Sequence, residues 1–316
     1  MIDVTKGIQT QTAEGIVVAE VTTNKMVIVL NKVDLLPADE AATRINKVTA
    51  TIRRALSGSK FAAAPIVQFS AHPGGPEGRA AKSHVIERHR ALRNAAPSLT
   101  RTDTMHHRFL MLVDHCFALK GKGTVCTGTV LRGSISVGQL VEFPNMGETK
   151  KVKSIHIFHE PHESAQQGDR IGMLVTQMDS QQLERGYACY PGSIVGGVTH
   201  VLSTVRQVKY FKGELHSHQN LHVTIGHYTT TARLVFMNGA VDPTDSKFTW
   251  SSHEYQYMSA LPSPKHQTDT AEATPVTHYL ALIEFDKPML VPPQALLIAS
   301  KLDADIRKQY QLHLSN

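Results

Sequence analysis

At 316 residues, with 41% hydrophobic and 19% charged side chains, the chain has room for two or three globular domains with ordinary cores. Its apolar runs fall far short of the ~20 residues a membrane-spanning helix needs. Its N-terminus shows no basic segment followed by a long apolar stretch, so neither a span nor a secretory leader is expected. The net charge of +6 is compatible with an RNA partner. Three widely spaced cysteines, Cys116, Cys126 and Cys189, read as buried free thiols of a reducing compartment.

The chain opens at Ile2-Asp-Val, which reads as the end of a buried strand, and Gln11 to Thr22 predicts a helix. The apolar run Met26-Val-Ile-Val-Leu30 predicts a strand buried on both faces, as in a parallel sheet. It ends at Asn31-Lys32-Val33-Asp34. Ligands of open α/β sheets sit just beyond the carboxyl ends of the strands, and this tetrad suits guanine. The Asp34 carboxylate can accept from both N1–H and the exocyclic amine of guanine, which adenine does not offer. Lys32 can lay its aliphatic stem along the base, and Asn31 can tie neighbouring loops together.

Ala38 to Leu56 predicts a second helix, with Ala41, Ile45, Val48, Ile52 and Leu56 forming one apolar stripe and Pro37 placed in its first turn. A further strand, Pro65-Ile-Val-Gln-Phe69, runs into Ser70-Ala71, where a backbone N–H could meet guanine O6. Ser83 to Arg93 predicts a last helix, and the breaker-rich stretch up to His107 reads as a linker.

A working GTPase needs a loop G-x-x-x-x-G-K-[ST] to cradle phosphates and hold Mg²⁺, and the 316 residues contain none. The nearest imitation, Gly121-Lys122-Gly123-Thr124, has strand-like flanks and reads as a hairpin turn. The first ~95 residues therefore look like the second half of a P-loop GTPase domain.

Beyond residue 106 the pattern is β only. Strands are expected at 108–117, 123–131, 140–143, 151–159 and 170–177, then at 198–210, 221–226, 232–236, 279–285 and 296–300. Such spacing suggests sandwiches or closed barrels. Residues 238–277, rich in Ser, Thr, Pro and Asp, read as a disordered loop. His156, His159 and His162 fall three apart, but a strand points such positions to opposite faces, so no metal site is expected. Lys150, Lys151 and Lys153 read either as a solvated edge that discourages strand pairing or as a contact for tRNA phosphates.

An α/β guanine-binding segment followed by two β-domains resembles the translational GTPases that carry aminoacyl-tRNA. The strings Val29-Leu-Asn-Lys-Val-Asp-Leu-Leu-Pro37, Val113-Asp-His-Cys-Phe117, Gly123-Thr-Val125, Gly128-Thr129, Gln167-Gly-Asp-Arg170, Leu183-Glu-Arg-Gly186 and Ser300-Lys-Leu-Asp-Ala-Asp-Ile306 resemble the eukaryotic selenocysteine-specific elongation factors. The resemblance covers nearly the whole chain except 238–277. It implies a partial P-loop GTPase domain at 1–95, a linker at 96–107 and two all-β barrels at 108–197 and 198–316.

By the same resemblance the expected activity is GTP-dependent delivery of selenocysteyl-tRNA to the ribosome at UGA, by a cytoplasmic monomer with no membrane partner. GTP or GDP is the expected cofactor, with Mg²⁺ in intact family members. Guanine would be held by Asn31, Lys32, Asp34, Ser70 and Ala71. The selenocysteine side chain would be held by Asp114, His115 and Arg185, with Asp114 orienting His115. Family members carry a phosphate loop and switch regions ahead of the position of Met1, and a fourth domain, for the selenocysteine insertion element, after the position of Asn316. The pattern therefore reads as truncated at both ends. Two alternatives stay open: another tRNA-carrying GTPase, such as a relative of elongation factor Tu, or a non-catalytic RNA-binding or assembly module.

Overall fold

A computed structural model describes residues 1–71, 108–176, 178–179, 183–208, 211, 213–239, 254–262 and 278–301. The expected helix at 83–93 and the linker lie outside the described residues. Two compact units are present, one built on the N-terminal α/β segment and the other holding both β-domains.

The first unit runs β1 (Ile2–Asp3), α1 (Thr10–Thr22), β2 (Ile28–Asn31), a 3-10 turn (Val33–Leu35), α2 (Ala41–Leu56) and β3 (Ile66–Gln68). The three strands are parallel in the order β1-β2-β3, with Ile2 opposite Leu30 and Ile28 opposite Ile66. Val48, Ile52 and Leu56, from the predicted stripe of α2, are buried with Ile28 and Leu30 in one core. Val29, on the other face of β2, is only half-buried, so the two faces are unequally covered rather than equally buried as expected. Pro37 also falls outside the helix. Its carbonyl accepts from Glu40 N–H (3.1 Å) and Ala41 N–H (2.8 Å), so it closes the turn that leads into α2.

The first β-domain contains β4 (Leu110–Leu119), β5 (Gly123–Arg132), β6 (Ser134–Ser136), β7 (Leu140–Phe143) and β8 (Glu148–Ile157). It continues with β9 (Glu160–His162), β10 (Ser164–Gln166), β11 (Arg170–Val175) and β12 (Gly186–Cys189). β11 pairs with both β5 and β8, which closes six strands into a barrel in the order β11-β5-β4-β12-β7-β8. Inward positions alternate along β5, where Thr124, Cys126, Gly128 and Val130 are buried, as a barrel strand requires. The core holds Met111, Val113, Val130, Phe143, Ile155 and Met173. Residues 120–122 make the tight β4–β5 turn, with Lys122 N–H bonded to Leu119 O (3.0 Å), so the phosphate-loop imitation is a hairpin as read.

One edge reading is overturned. Lys150 and Lys151 lie on β8 opposite Val141 and Leu140 of β7, while β8 also pairs with β11. Barrel closure leaves no free edge there. Lys150 faces Glu148 at 2.9 Å and Lys153 bonds the Lys122 carbonyl at 2.7 Å.

The second β-domain contains β13 (Val198–Thr204), β14 (Leu215–His216), β15 (Gln219–Ile225), β16 (Tyr228–Gly239), β17 (Gln256–Met258), β18 (Ala260–Leu261), β19 (His278–Met289) and β20 (Leu297–Ser300). Its sheet runs β13-β19-β16-β15-β20. Val201 and Leu297, from the two ends of that order, pack on the same core of Val223, Leu234, Phe236 and Ile283. β17 and β18 fall inside the stretch expected to be disordered. β17 pairs with β16 and β18 with β14, so backbone pairing organises 256–261 despite a polar surrounding composition.

Candidate functional site

Parallel pairing brings the carboxyl ends of β2 and β3 side by side, and there the guanine-type residues meet. Asn31 Oδ1 accepts from Ala71 N–H at 3.0 Å, which ties the two loops as expected of an asparagine at this position. The buried Ser70 hydroxyl donates to Asp34 Oδ1, fixing the carboxylate. Lys32 sits in the left-handed region at φ 65°, and its ammonium reaches Asp3 Oδ2 at 2.8 Å. Asp3 also accepts from the Thr5 amide and hydroxyl. The Lys32 bond, helped by Thr5, holds the Asp3 carboxyl down at about 2.

This donor set fits a guanine base: a fixed carboxylate beside an exposed lysine stem anchored at its tip. One expectation needs correction. The Ala71 amide is engaged by Asn31 and is not open to O6, because the Asn31 carbonyl oxygen reaches it first.

The second constellation arises from a break in strand periodicity. β4 pairs Val113 with Gly128 and His115 with Thr127, so Asp114 is an extra residue, a β-bulge. Bulges re-aim side chains. Val113 points into the core, Asp114 and His115 both turn outward, and Cys116 returns to pack on the core. Extending the β12–β4 register past the Gly186–Val113 pair places Arg185 across from Asp114. The three predicted pocket residues therefore share one outer face of the barrel. His115 and Arg185 are both exposed there.

The expected partnership of Asp114 with His115 is not what forms. Arg170 Nη1 lies 2.5 Å from Asp114 Oδ2, and His227 Nε2 lies 3.5 Å from Asp114 Oδ1. The bulge turns the carboxylate toward β11 and toward the β15–β16 hairpin of the second β-domain, away from its chain neighbour. The seam is completed by Tyr228, whose hydroxyl donates to Arg185 O at 2.9 Å and accepts from Asn145 Nδ2 at 2.7 Å. Leu110, Leu112, Tyr187 and Leu290 pack beside it, and burial beside Tyr228 pushes the Tyr187 hydroxyl up to about 12.

Residues 202–311 match the third domain of eukaryotic selenocysteine-specific elongation factors. Residues 123–189 match elongation factor Tu domain 2. The chain is 40% identical over 97% of its length to a selenocysteine-specific elongation factor of Mus musculus. It belongs to the selenocysteine-specific elongation factor family. An archaeal member from Methanocaldococcus jannaschii is 27% identical across 74% of the chain. The chain spans about half the length of these curated relatives, 55% and 48%.

The fold agrees with this family assignment. The apo structure of the translation elongation factor SelB of Methanococcus maripaludis matches 97% of this chain and 62% of its own, with a TM-score of 0.72 at 21% identity. The same factor in complex with the GTP analogue GppNHp matches with a TM-score of 0.73. A bacterial selenocysteine-specific factor matches with a TM-score of 0.64 at 16% identity, covering 42% of its length.

Proposed function

We propose that this chain supplies the amino-acid-selecting surface of a selenocysteine-specific elongation factor, which delivers selenocysteyl-tRNA to the ribosome in a GTP-dependent manner. The observation that carries the reading is the bulge at Asp114, which brings His115 and Arg185 onto one exposed face. A selenol is more acidic than a thiol and is an anion at neutral pH, whereas serine is neutral. The Arg185 guanidinium, with the His115 ring beside it as a second hydrogen-bonding group, favours that anion through a charge-assisted hydrogen bond. Asp114 does not cancel this preference, because its own charge is met by Arg170.

On this reading Asn31, Lys32 and Asp34, with Ser70 behind Asp34, hold the guanine base, and domains divide at 1–95, 108–197 and 198–316. The 316 residues contain no phosphate loop, so they do not cleave GTP by themselves. Asn31, Lys32 and Asp34 would hold GTP by its base, and Mg²⁺ would supply charge neutralisation at its phosphates. The factor acts in the cytoplasm with the ribosome, and with the machinery of the selenocysteine insertion element.

The test is equilibrium binding of selenocysteyl-tRNA against seryl-tRNA, using this chain joined to the phosphate-binding elements of a relative and loaded with GTP. A clear preference for selenocysteine is expected. Equal affinity would contradict the reading.

A further inference from the structure

Cys116 and Cys126 are directly opposite one another on the antiparallel β4–β5 ladder, and their sulfurs lie 2.8 Å apart. Both are free thiols. That approach exceeds the S–S bond of about 2.05 Å by less than 1 Å. Directly opposed residues of antiparallel strands have Cα atoms ~4.5–5.5 Å apart, inside the ~4.4–6.8 Å range that disulfides accept.

The two sulfurs are unequal. Cys126 is fully buried in the barrel core, whereas Cys116 is half-buried three pairs from the hairpin turn. Either sulfur can donate in the bond between them; that bond holds the Cys116 thiol below the ordinary range, while Cys126 is pushed up by Cys116 and by burial. A half-buried sulfur with a lowered pKa beside a fully buried one with a raised pKa is the arrangement of an attacking and a resolving cysteine.

We propose that Cys116 and Cys126 form a reversible two-electron redox site that reacts with hydroperoxides. Cys116 thiolate attacks hydrogen peroxide, breaking the O–O bond and releasing hydroxide, which leaves Cys116 as the sulfenic acid. Cys126 sulfur then attacks the Cys116 sulfur. The hydroxyl departs with the Cys126 proton as water, and the disulfide closes. The dithiol loses two electrons and the peroxide gains them. An external dithiol reductant reverses the reaction by thiol–disulfide exchange.

Opposed strand residues have Cβ atoms about 4.5–5.5 Å apart, while a disulfide prefers about 3.8 Å. Closure therefore draws the two strands together next to His115, and a bond formed under such tension is easily reduced. Cys189 also lies fully buried, in the separate cluster with Tyr187, and serves as the internal control.

The experiment is stepwise oxidation of the folded 316-residue chain with hydrogen peroxide, followed by thiol titration after denaturation and peptide mass mapping. The expected result is a fall from three free thiols to one, a Cys116–Cys126 crosslinked peptide that has lost two hydrogens, and full recovery with dithiothreitol. In a Cys126→Ala chain, Cys116 should stop at a sulfenic acid trapped by dimedone, with no crosslink. Three thiols persisting at excess peroxide, a sulfinic acid on Cys116 of the unaltered chain, or a crosslink to Cys189 would each overturn the proposal. The circular dichroism spectrum of each sample shows whether folding was retained, and the unaltered chain decides the outcome independently of the variant.

Discussion

Gly128→Ala tests how the sequence builds the bulge. Gly128 is opposite Val113, the last regular pair before Asp114. A Cβ at Gly128 would overlap the Leu112 carbonyl oxygen, with the carbonyl carbon 2.9 Å and Met111 Cε 3.0 Å away. The obstacle is backbone, so no rotamer change relieves it. β4 must retreat by on the order of 1 Å to restore an ordinary C···O separation of about 3.3 Å. Overpacking of this kind costs about 1–3 kcal/mol, equivalent to a drop in melting temperature of roughly 2–12 °C for a unit of this size.

Gly172→Ala is the control. It lies opposite Thr127 on β11, and its nearest atoms are 3.9 Å away, so a change within about 0.5 kcal/mol is expected. Thermal melting by circular dichroism gives the stability, and the His115 ring resonances report the bulge. A Gly128→Ala chain that melts with the unaltered chain and leaves His115 unmoved would refute the account of how this site is presented.

Asp3 should titrate at about 2 by NMR, and Lys32→Ala should return it toward the ordinary 3.8. Because the folded value is depressed, the stabilisation is present above the unfolded pKa and is lost as pH falls through the folded one. The variant should thus be less stable above pH ~4, by about 0.2–1 kcal/mol for so exposed a pair, and indistinguishable below pH ~2. A double-mutant cycle of Asp114→Asn and His227→Gln, read by chemical denaturation, should give a coupling of about 0.5 kcal/mol or more; strict additivity would separate the two groups. In the chain joined to a relative's phosphate-binding elements, Asp34→Asn should weaken GTP and favour a xanthine nucleotide, since the amide donates where the carboxylate accepted. Unchanged GTP binding would reduce Asp34 to a turn-former.

Much of this was legible because local pattern and tertiary outcome agree. The α2 stripe is buried where its spacing puts it, and ten strands of the two β-domains fall where the sequence places them. The short strands β6, β9 and β10, of three residues each, carry no periodicity of their own, since barrel pairing makes them. The lysines of β8 misled because solvated outer faces and free edges have the same composition, and only closure distinguishes them.

At the site, Asp114, His115 and Arg185 came from the resemblance. Their geometry had one local signal: two successive polar residues between inward-facing Val113 and Cys116, which breaks strand alternation. Arg170 and His227 had none. They reach Asp114 through barrel closure and through packing of the second β-domain, neither of which spacing along the chain encodes.

The central claim is that Arg185 and His115 select the selenolate, and the most direct measurement is paired binding of selenocysteyl-tRNA and seryl-tRNA to Arg185→Ala and to the unaltered chain in the same GTP-loaded context. A charge-assisted hydrogen bond is worth about 1.5–3 kcal/mol, so the selenocysteine-to-serine preference should fall roughly ten- to a hundredfold while seryl-tRNA binding barely moves. A preference unchanged by the loss of Arg185, or an equal loss for both ligands, would contradict it.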